Sequence, residues 1–208
     1  KFEIAAIAIF VAMVLDGMDG RVARMTHTQS AFGEQYDSLA DMVSFGVAPA
    51  LVVYEWQLRH LDKMGWAAAF IYCACAALRL ARFNTQIGST DKRWFQGMPS
   101  PTAAALVAGL VWVSHEVDLP KQITPNILPW LTFVFTIFSG FSMVSNVRFY
   151  SFKEFNLRRH IPFIGMVALV FAWVLIAQNP PIALFALFVA YSLSGYIMAV
   201  WSKIKNKT

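Results

Sequence analysis

The chain has 208 residues, of which 58% are hydrophobic and 14% are charged, whereas an ordinary soluble domain carries about 25% charged residues. This composition excludes an ordinary soluble protein and indicates that lipid is the main solvent. The formal net charge of +5 is explained by basic loops that meet anionic headgroups, so we do not assign it to nucleic acid.

Seven apolar stretches follow one another along the chain, and each approaches or reaches the roughly 20 residues that a membrane-spanning helix needs. They predict an all-α fold, a polytopic transmembrane helix bundle in one domain, with helices over 2–25, 34–56, 64–84, 101–115, 128–147, 161–177 and 182–201. Because the chain starts at Lys1 without an initiator Met and enters an apolar helix at once, we expect that an upstream segment has been lost.

The basic residues predict how the bundle is oriented, because short loops rich in Lys and Arg stay in the cytoplasm. If Arg21 and Arg24 are cytoplasmic, 13 of the 17 basic residues fall on that side. The opposite side receives only the other four, which are Lys1, Arg59, Lys63 and Lys121. The end of the first helix is therefore expected at the cytoplasmic face.

Four of the seven Asp residues lie within 26 residues, at the end of the first helix and the start of the second: Asp16, Asp19, Asp37 and Asp41. The first two are spaced i, i+3 and the last two i, i+4, so each pair projects from one helical face. Two antiparallel helices joined by a turn over 26–30 would bring the four carboxylates around one small volume. Carboxylates at a membrane boundary are costly and mark functional sites. Hard divalent cations with oxygen ligands, Mg²⁺ or Mn²⁺, would neutralise their repulsion.

Small residues accompany the carboxylates. Gly20, Ala23 and Gly33 would let a bulky ligand approach the backbone, and Arg24 carries a forked array of donors that suits phosphate. The combination predicts a diphosphate site. The alternative for any single pair of acids is a solvated helix end.

The same residues form a recognisable signature. The stretch Asp16-Gly-Met-Asp19-Gly20-Arg-Val-Ala23-Arg24, followed after eight residues by Gly33, after three by Asp37 and after three more by Asp41, resembles the CDP-alcohol phosphotransferase motif at every fixed position. The resemblance implies that the first three Asp residues hold two divalent cations. It also implies that Asp41 is both a metal ligand and the catalytic base. Gly20 and Ala23 would make room for the cytidine nucleotide, and Arg24 would steady the phosphates.

Four further segments, over 38–49, 78–84, 95–101 and 143–148, are similar to the bacterial and archaeal branch of the family that uses serine. That branch transfers a phosphatidyl group from CDP-diacylglycerol to L-serine, forming phosphatidylserine and CMP for phospholipid biosynthesis. The resemblance implies a core over 1–153, two additional helices over 154–208, and a homodimer in the bacterial inner membrane with its active site facing the cytoplasm. It also implies that one or more N-terminal helices, which family members carry before the motif helix, are missing from this chain.

A serine acceptor brings a carboxylate that needs a cation. Arg79 or Arg82 could bind it, with a hydrogen bond from Asn84 or Ser44, and Ser100 is a further candidate at the acceptor site. The alternative for the two Arg residues is that they only anchor the helix at the cytoplasmic face.

Other functions stay open at this point. Another acceptor of the same family, glycerol 3-phosphate or an inositol phosphate, would require a stronger basic pocket. A divalent-cation transporter would place its acids near the bilayer midplane between broken helices. A lipid-binding bundle without catalysis is the third alternative.

Overall fold

The computed structural model describes residues 1–26, 30–85, 94–118, 127–150, 171, 173, 174 and 176–205, apart from the side chains of Ala23, Arg24, Trp94 and Lys203. The described elements are α1 (Phe2–Thr26), α2 (Ala31–Asp41), a π-helical turn (Met42–Val47), α3 (Ala48–Trp56), a 3₁₀ turn (Leu58–Leu61), α4 (Asp62–Thr85), β1 (Trp94–Gln96), α5 (Ser100–Glu116), α6 (Ile127–Val144), β2 (Arg148–Tyr150) and α7 (Pro180–Lys205). The predicted all-α class is confirmed.

Four of the described helical stretches are long and apolar enough to cross a membrane: Ala31–Trp56, Leu58–Thr85, Ile127–Val144 and Pro180–Ser202. The protein is therefore a helical membrane protein, as predicted. The count of seven spans is not confirmed. Helix α1 carries Asp16 and Asp19, α5 has 17 residues, and the predicted sixth helix lies largely outside the described residues.

Helix α5 lies at the centre of the described bundle, where it packs against α1, α6 and α7. Its first turn contains a proline. Backbone N–H groups in the first turn have no partner within the helix, so the N–H that proline lacks costs no helical hydrogen bond. All side chains over 102–111 are buried, and many of them are Ala, which lets neighbouring helices approach closely. Ser100, at the start of α5, is consequently held inside the bundle.

Helix α4 packs along α6 and against the π-helical turn. The fully buried Tyr72 of α4 donates its hydroxyl to the carbonyl of Phe45, at 3.0 Å. The hydrogen bond gives the Phe45 carbonyl in the π-helical turn a side-chain partner, so this buried carbonyl is not left unpaired. A π-helical turn directly after Asp41 was not predicted from the sequence.

Strands β1 and β2 form a short antiparallel pair in which Phe95 lies opposite Phe149. The prediction that the fifth helix runs to Val147 is wrong, because α6 ends at Val144 and β2 begins at Arg148. Gly97 has a φ of +79°, a conformation that favours glycine, and its N–H donates to the carbonyl of Val147 at 2.8 Å. The chain that enters α5 is thereby tied to the segment between α6 and β2.

Candidate active site

The two acidic pairs lie on successive helices, α1 and α2. Helix α1 ends at Thr26 and α2 begins at Ala31, and the predicted turn over 26–30 lies largely outside the described residues. Ser30 caps α2, because its Oγ accepts the N–H of Gly33 at 3.0 Å. The start of α2 therefore has a defined position, and Asp37 and Asp41 follow at fixed helical offsets.

Three carboxylates converge between these helices. One oxygen from each of Asp16, Asp19 and Asp37 lies within 4.8 Å of the other two. Asp16 is half-buried, whereas Asp19 and Asp37 are exposed. Oxygen ligands at this spacing suit a hard divalent cation, which would also offset the repulsion among the carboxylates.

Asp41 lies one turn beyond Asp37 and directly precedes the π-helical turn. Its side chain is within hydrogen-bonding range of Asp16, and its charge interacts with those of Asp37 and Arg79. Its Oδ1 is buried and has no hydrogen-bond partner among the described residues. A buried oxygen without a partner is costly unless a cation or a donor of a ligand satisfies it. Asp41 thus adjoins the three converging carboxylates through Asp16, and this set of oxygen donors fits divalent cations.

The small residues of the motif lie on the same two helices as the carboxylates. Gly20 is half-buried on α1, and Gly33 is exposed in the first turn of α2. A Cβ at Gly33 would lie 3.1 Å from Oγ of Ser30, so a side chain there would press on the helix cap. Ala23 and Arg24 belong to α1, but their side chains lie outside the described residues. A role for these four residues in binding the nucleotide stays a prediction.

Arg79 brings a buried cation to the acidic volume. Only 9% of the residue is exposed, and its Nη1 donates to Oγ of Ser100 at 2.6 Å. The guanidinium also interacts electrostatically with Asp41 and lies 5.7 Å from the centre of the Phe83 ring. A buried cation needs an opposite charge nearby, which Asp41 supplies. Two of the residues predicted for the acceptor, Arg79 and Ser100, are therefore in contact beside the carboxylates.

Arg82 lies one turn further along α4 and makes different contacts. Its Nη1 donates to the carbonyls of Val144 at 3.1 Å and Ser145 at 3.5 Å. These carbonyls belong to the C-terminal end of α6, where a cation also complements the helix dipole. The structure therefore gives Arg82 a contact that joins α4 to α6.

Asn84 lies near the C-terminal end of α4, and Ser44 lies in the π-helical turn. The Nδ2 of Asn84 donates to Oγ of Ser38 at 3.0 Å, which links the end of α4 to α2 next to Asp37. Ser44 is half-buried within the π-helical turn. Ser38 was not among the predicted site residues, although its position directly after Asp37 in the sequence could have indicated it. Contacts of Arg82, Asn84 and Ser44 with serine stay predictions.

These groups define what the site can do chemically. The carboxylates can hold cations beside a diphosphate, and the unpaired oxygen of Asp41 can accept a proton. Arg79 has donors beyond the one that Ser100 uses, since a guanidinium carries five N–H groups. The arrangement therefore suits a reaction between a diphosphate and an alcohol that carries an acidic group.

Known proteins match this chain over its whole length. The family model described as CDP-alcohol phosphatidyltransferase matches residues 1–138. A CDP-diacylglycerol-serine O-phosphatidyltransferase of Helicobacter pylori strain J99 is 35% identical over 209 residues, which cover 100% of this chain and 85% of that protein.

Two relatives of the same name match about half of the chain at higher identity. The Mycobacterium leprae protein is 47% identical over 113 residues, covering 51% of this chain and 37% of the relative. The Methanocaldococcus jannaschii protein is 43% identical over 101 residues, covering 49% of this chain and 47% of the relative.

Proposed function

Because the chain belongs to the CDP-alcohol phosphatidyltransferase family, we propose that it is a CDP-diacylglycerol-serine O-phosphatidyltransferase of phospholipid biosynthesis. The observation that carries this proposal is the convergence of three carboxylates, from Asp16, Asp19 and Asp37, with Asp41 next to Asp16 and the buried Arg79 near Asp41. The full-length similarity to the Helicobacter pylori enzyme supports serine as the acceptor.

The reaction joins serine to the phosphatidyl group. The serine hydroxyl attacks the phosphorus that carries diacylglycerol, a new P–O bond forms, and the P–O bond to CMP breaks. The hydroxyl proton passes to a carboxylate of the protein, and the products are phosphatidylserine and CMP.

Asp16, Asp19, Asp37 and Asp41 would hold two divalent cations, Mg²⁺ or Mn²⁺. When bound, such cations neutralise charge on the diphosphate and on the departing phosphate. The oxygen-only donor set and the unpaired Oδ1 of Asp41 support this assignment. Gly20, Ala23, Gly33 and Arg24 would accommodate the nucleotide and its phosphates.

Asp41 is the proposed base. A serine hydroxyl is a poor nucleophile at neutral pH, so a carboxylate within reach has to accept its proton. Oδ1 of Asp41 is available for this because it is buried without a partner among the described residues. The charge of Asp41 also interacts with that of Arg79.

Arg79 is the proposed site for the serine carboxylate. Ser100 holds one guanidinium nitrogen, and the remaining donors can form a bidentate pair with a carboxylate. This pair would place the serine hydroxyl beside Asp41, and holding reactants in the right geometry is itself a large catalytic effect.

The cellular setting is part of the proposal. The basic residues support an orientation with the acidic volume at the cytoplasmic face of a bacterial inner membrane. We further propose a homodimer, and a single transmembrane domain with its catalytic core over 1–153 and additional helices over 154–208.

Release of CMP tests the proposed function. Purified full-length protein with Mg²⁺ or Mn²⁺ is incubated with CDP-diacylglycerol and serine, glycerol 3-phosphate or an inositol phosphate. We expect CMP release with serine only. Release with glycerol 3-phosphate but none with serine would overturn the choice of acceptor. Uptake of Mg²⁺ into proteoliposomes, without CMP release from any mixture, would favour a transporter instead.

A further inference from the structure

Helix α2 carries two of the four carboxylates but packs on few of the described residues. All of its side chains over 31–40 are exposed except that of Ser38, which is half-buried, and α2 packs mainly on the π-helical turn that directly continues it. Helix α1, which carries Asp16 and Asp19, packs instead against α5 and α3. The position of α2 relative to the bundle therefore decides whether the carboxylates of the two helices meet.

A hydrogen bond between Ser38 and Asn84 joins α2 to the last turn of α4. Nδ2 of Asn84 donates to Oγ of Ser38 at 3.0 Å, and Oδ1 of Asn84 lies 3.3 Å from the same oxygen. Both residues are half-buried, so water competes less for this bond than at an exposed site. The Ser30 cap, by contrast, lies within α2 and fixes where the helix begins, not where it lies against α4.

Ser38 occupies a position from which it can hold both carboxylates of α2. It directly follows Asp37, and it is spaced i, i+3 from Asp41, so it shares a helical face with Asp41. An oxygen of Asp37 lies within 4.8 Å of oxygens of Asp16 and Asp19. Like charges at this spacing repel each other and push α2 away from α1 before any cation binds. The neutral amide of Asn84 opposes this movement because it holds Ser38.

We propose that Asn84 is a positioning residue for cation binding, which holds α2 against α4 so that Asp37 meets Asp16 and Asp19. This inference rests on the proposed function, because it requires that the carboxylates hold divalent cations. The cations bind the arrangement in which the two helices meet. Loss of the hydrogen bond lowers the fraction of protein in that arrangement, and the apparent affinity for cations falls by the same factor.

The experiment compares Asn84→Ala with Thr85→Ala in the full-length protein. Asn84→Ala removes the amide without changing any charge, whereas Thr85→Ala removes a hydroxyl that donates to the carbonyl of Arg82 within α4. Binding of Mn²⁺ in the absence of substrates is followed by its paramagnetic resonance signal. For Asn84→Ala we expect the Mn²⁺ affinity to fall about 3- to 10-fold, as for the loss of one hydrogen bond. For Thr85→Ala we expect the wild-type affinity.

Ser38→Ala removes the same hydrogen bond from the side of α2. We expect it to lower the Mn²⁺ affinity as Asn84→Ala does, with no further loss in the double variant, because both substitutions break one contact. Kinetics should show the same pattern. CMP release by either variant should need more Mn²⁺ for its half-maximal rate, while the KM for serine at saturating Mn²⁺ stays near the wild-type value.

Several results would overturn the inference. These are equal Mn²⁺ affinities for Asn84→Ala and Thr85→Ala, additive losses in the double variant, or a lowered melting temperature with unchanged Mn²⁺ affinity. A raised KM for serine with unchanged Mn²⁺ affinity would assign Asn84 to the acceptor instead. If Asn84→Ala does not fold, the Mn²⁺ affinity of Ser38→Ala decides the matter. A wild-type protein that binds no Mn²⁺ would instead overturn the cation sites of the proposed function.

Discussion

Two neighbouring regions of the site are built in opposite ways. The acid cluster (Asp16, Asp19, Asp37 and Asp41) comes from a stretch of 26 residues on two successive helices, α1 and α2. The arginine cluster (Arg79, Arg82, Asn84 and the groups they contact) comes from contacts that span 21, 46 and 62 residues of the chain. Helical periodicity aligns the two members of each acidic pair in the first cluster, whereas only the packing of the bundle assembles the second.

The two clusters also differ in solvent exposure, and this difference indicates different functions. Asp19 and Asp37 are exposed, so cations and nucleotide can reach them, whereas Arg79 is almost fully buried. Asp41 joins the clusters, because its charge interacts with Asp16 on one side and Arg79 on the other. Changes in the acid cluster should therefore affect the chemistry, and changes of Arg79 or Arg82 should affect acceptor binding or stability.

Removal of divalent cations should have the largest effect. We expect chelation to abolish CMP release and added Mg²⁺ or Mn²⁺ to restore it, because the converging carboxylates would otherwise repel the diphosphate. Binding of Mn²⁺, followed by its paramagnetic resonance signal, provides a measurement without turnover. Asp19→Asn should weaken this binding about 10-fold or more, since affinity depends on the charge of the ligands.

The matched control for cation binding is Glu116→Gln, which removes an exposed acid at the opposite end of α5 from Ser100. Its Mn²⁺ affinity should equal that of the wild type. Equal affinities for Asp19→Asn and Glu116→Gln would show that the acid cluster is not the cation site.

Asp41→Asn should have the next largest effect. We expect CMP release to fall by about 10²- to 10⁴-fold, the usual contribution of a general base, while nucleotide binding stays measurable. The control is Asp62→Asn, because Asp62 is exposed at the start of α4 and Asn tolerates its positive φ of 47°. Turnover of Asp41→Asn close to that of the control would exclude Asp41 as the base.

Arg79→Lys should have an intermediate effect confined to the acceptor. The substitution keeps the positive charge but loses the planar fork that binds a carboxylate through two hydrogen bonds. We expect the KM for serine to rise about 10-fold, in line with the loss of a charge-assisted hydrogen bond, with a smaller change in the KM for CDP-diacylglycerol. Steady-state kinetics with each substrate varied in turn measures both constants. A larger rise in the KM for CDP-diacylglycerol than in the KM for serine would show that Arg79 binds the phosphates instead.

Arg82→Gln should have the smallest effect on kinetics and should act on stability. Its two hydrogen bonds to the end of α6 would be weakened, which we expect to lower the free energy of unfolding by about 1 to 2 kcal/mol. Thermal unfolding in detergent micelles measures the loss, and the KM for serine should stay near the wild-type value. A large rise in that KM with unchanged stability would assign Arg82, rather than Arg79, to the acceptor.

Much of the acid cluster could be predicted because it depends on local rules. Spacings of three and four residues put each acidic pair on one face, and Ser30 with Gly33 forms a cap at the predicted turn. The bounds of α1 and α4 also followed closely from apolar length. The count of membrane helices could not be confirmed in this way, because α1 carries charges within its length and α5 is short.

Other features had no local signal. The π-helical turn after Asp41 depends on packing, since Gly46 lies against Ala76 of α4 and Tyr72 pairs with the carbonyl of Phe45. The strand pair of β1 and β2 depends on a partner more than 50 residues away. Sequence spacing likewise made Arg79 and Arg82 equivalent, although the fold gives them different contacts.

The sequence by itself determined the membrane class, the acidic pairs and the small residues around them, because composition and helical periodicity act over a few turns of one chain segment. The tertiary structure decided which arginine meets the carboxylates, that Ser100 and Ser38 contact α4, and that α7 packs on α5 and β2. Those outcomes depend on helix-helix packing, in which residues far apart in sequence become neighbours, and no short-range pattern encodes that choice.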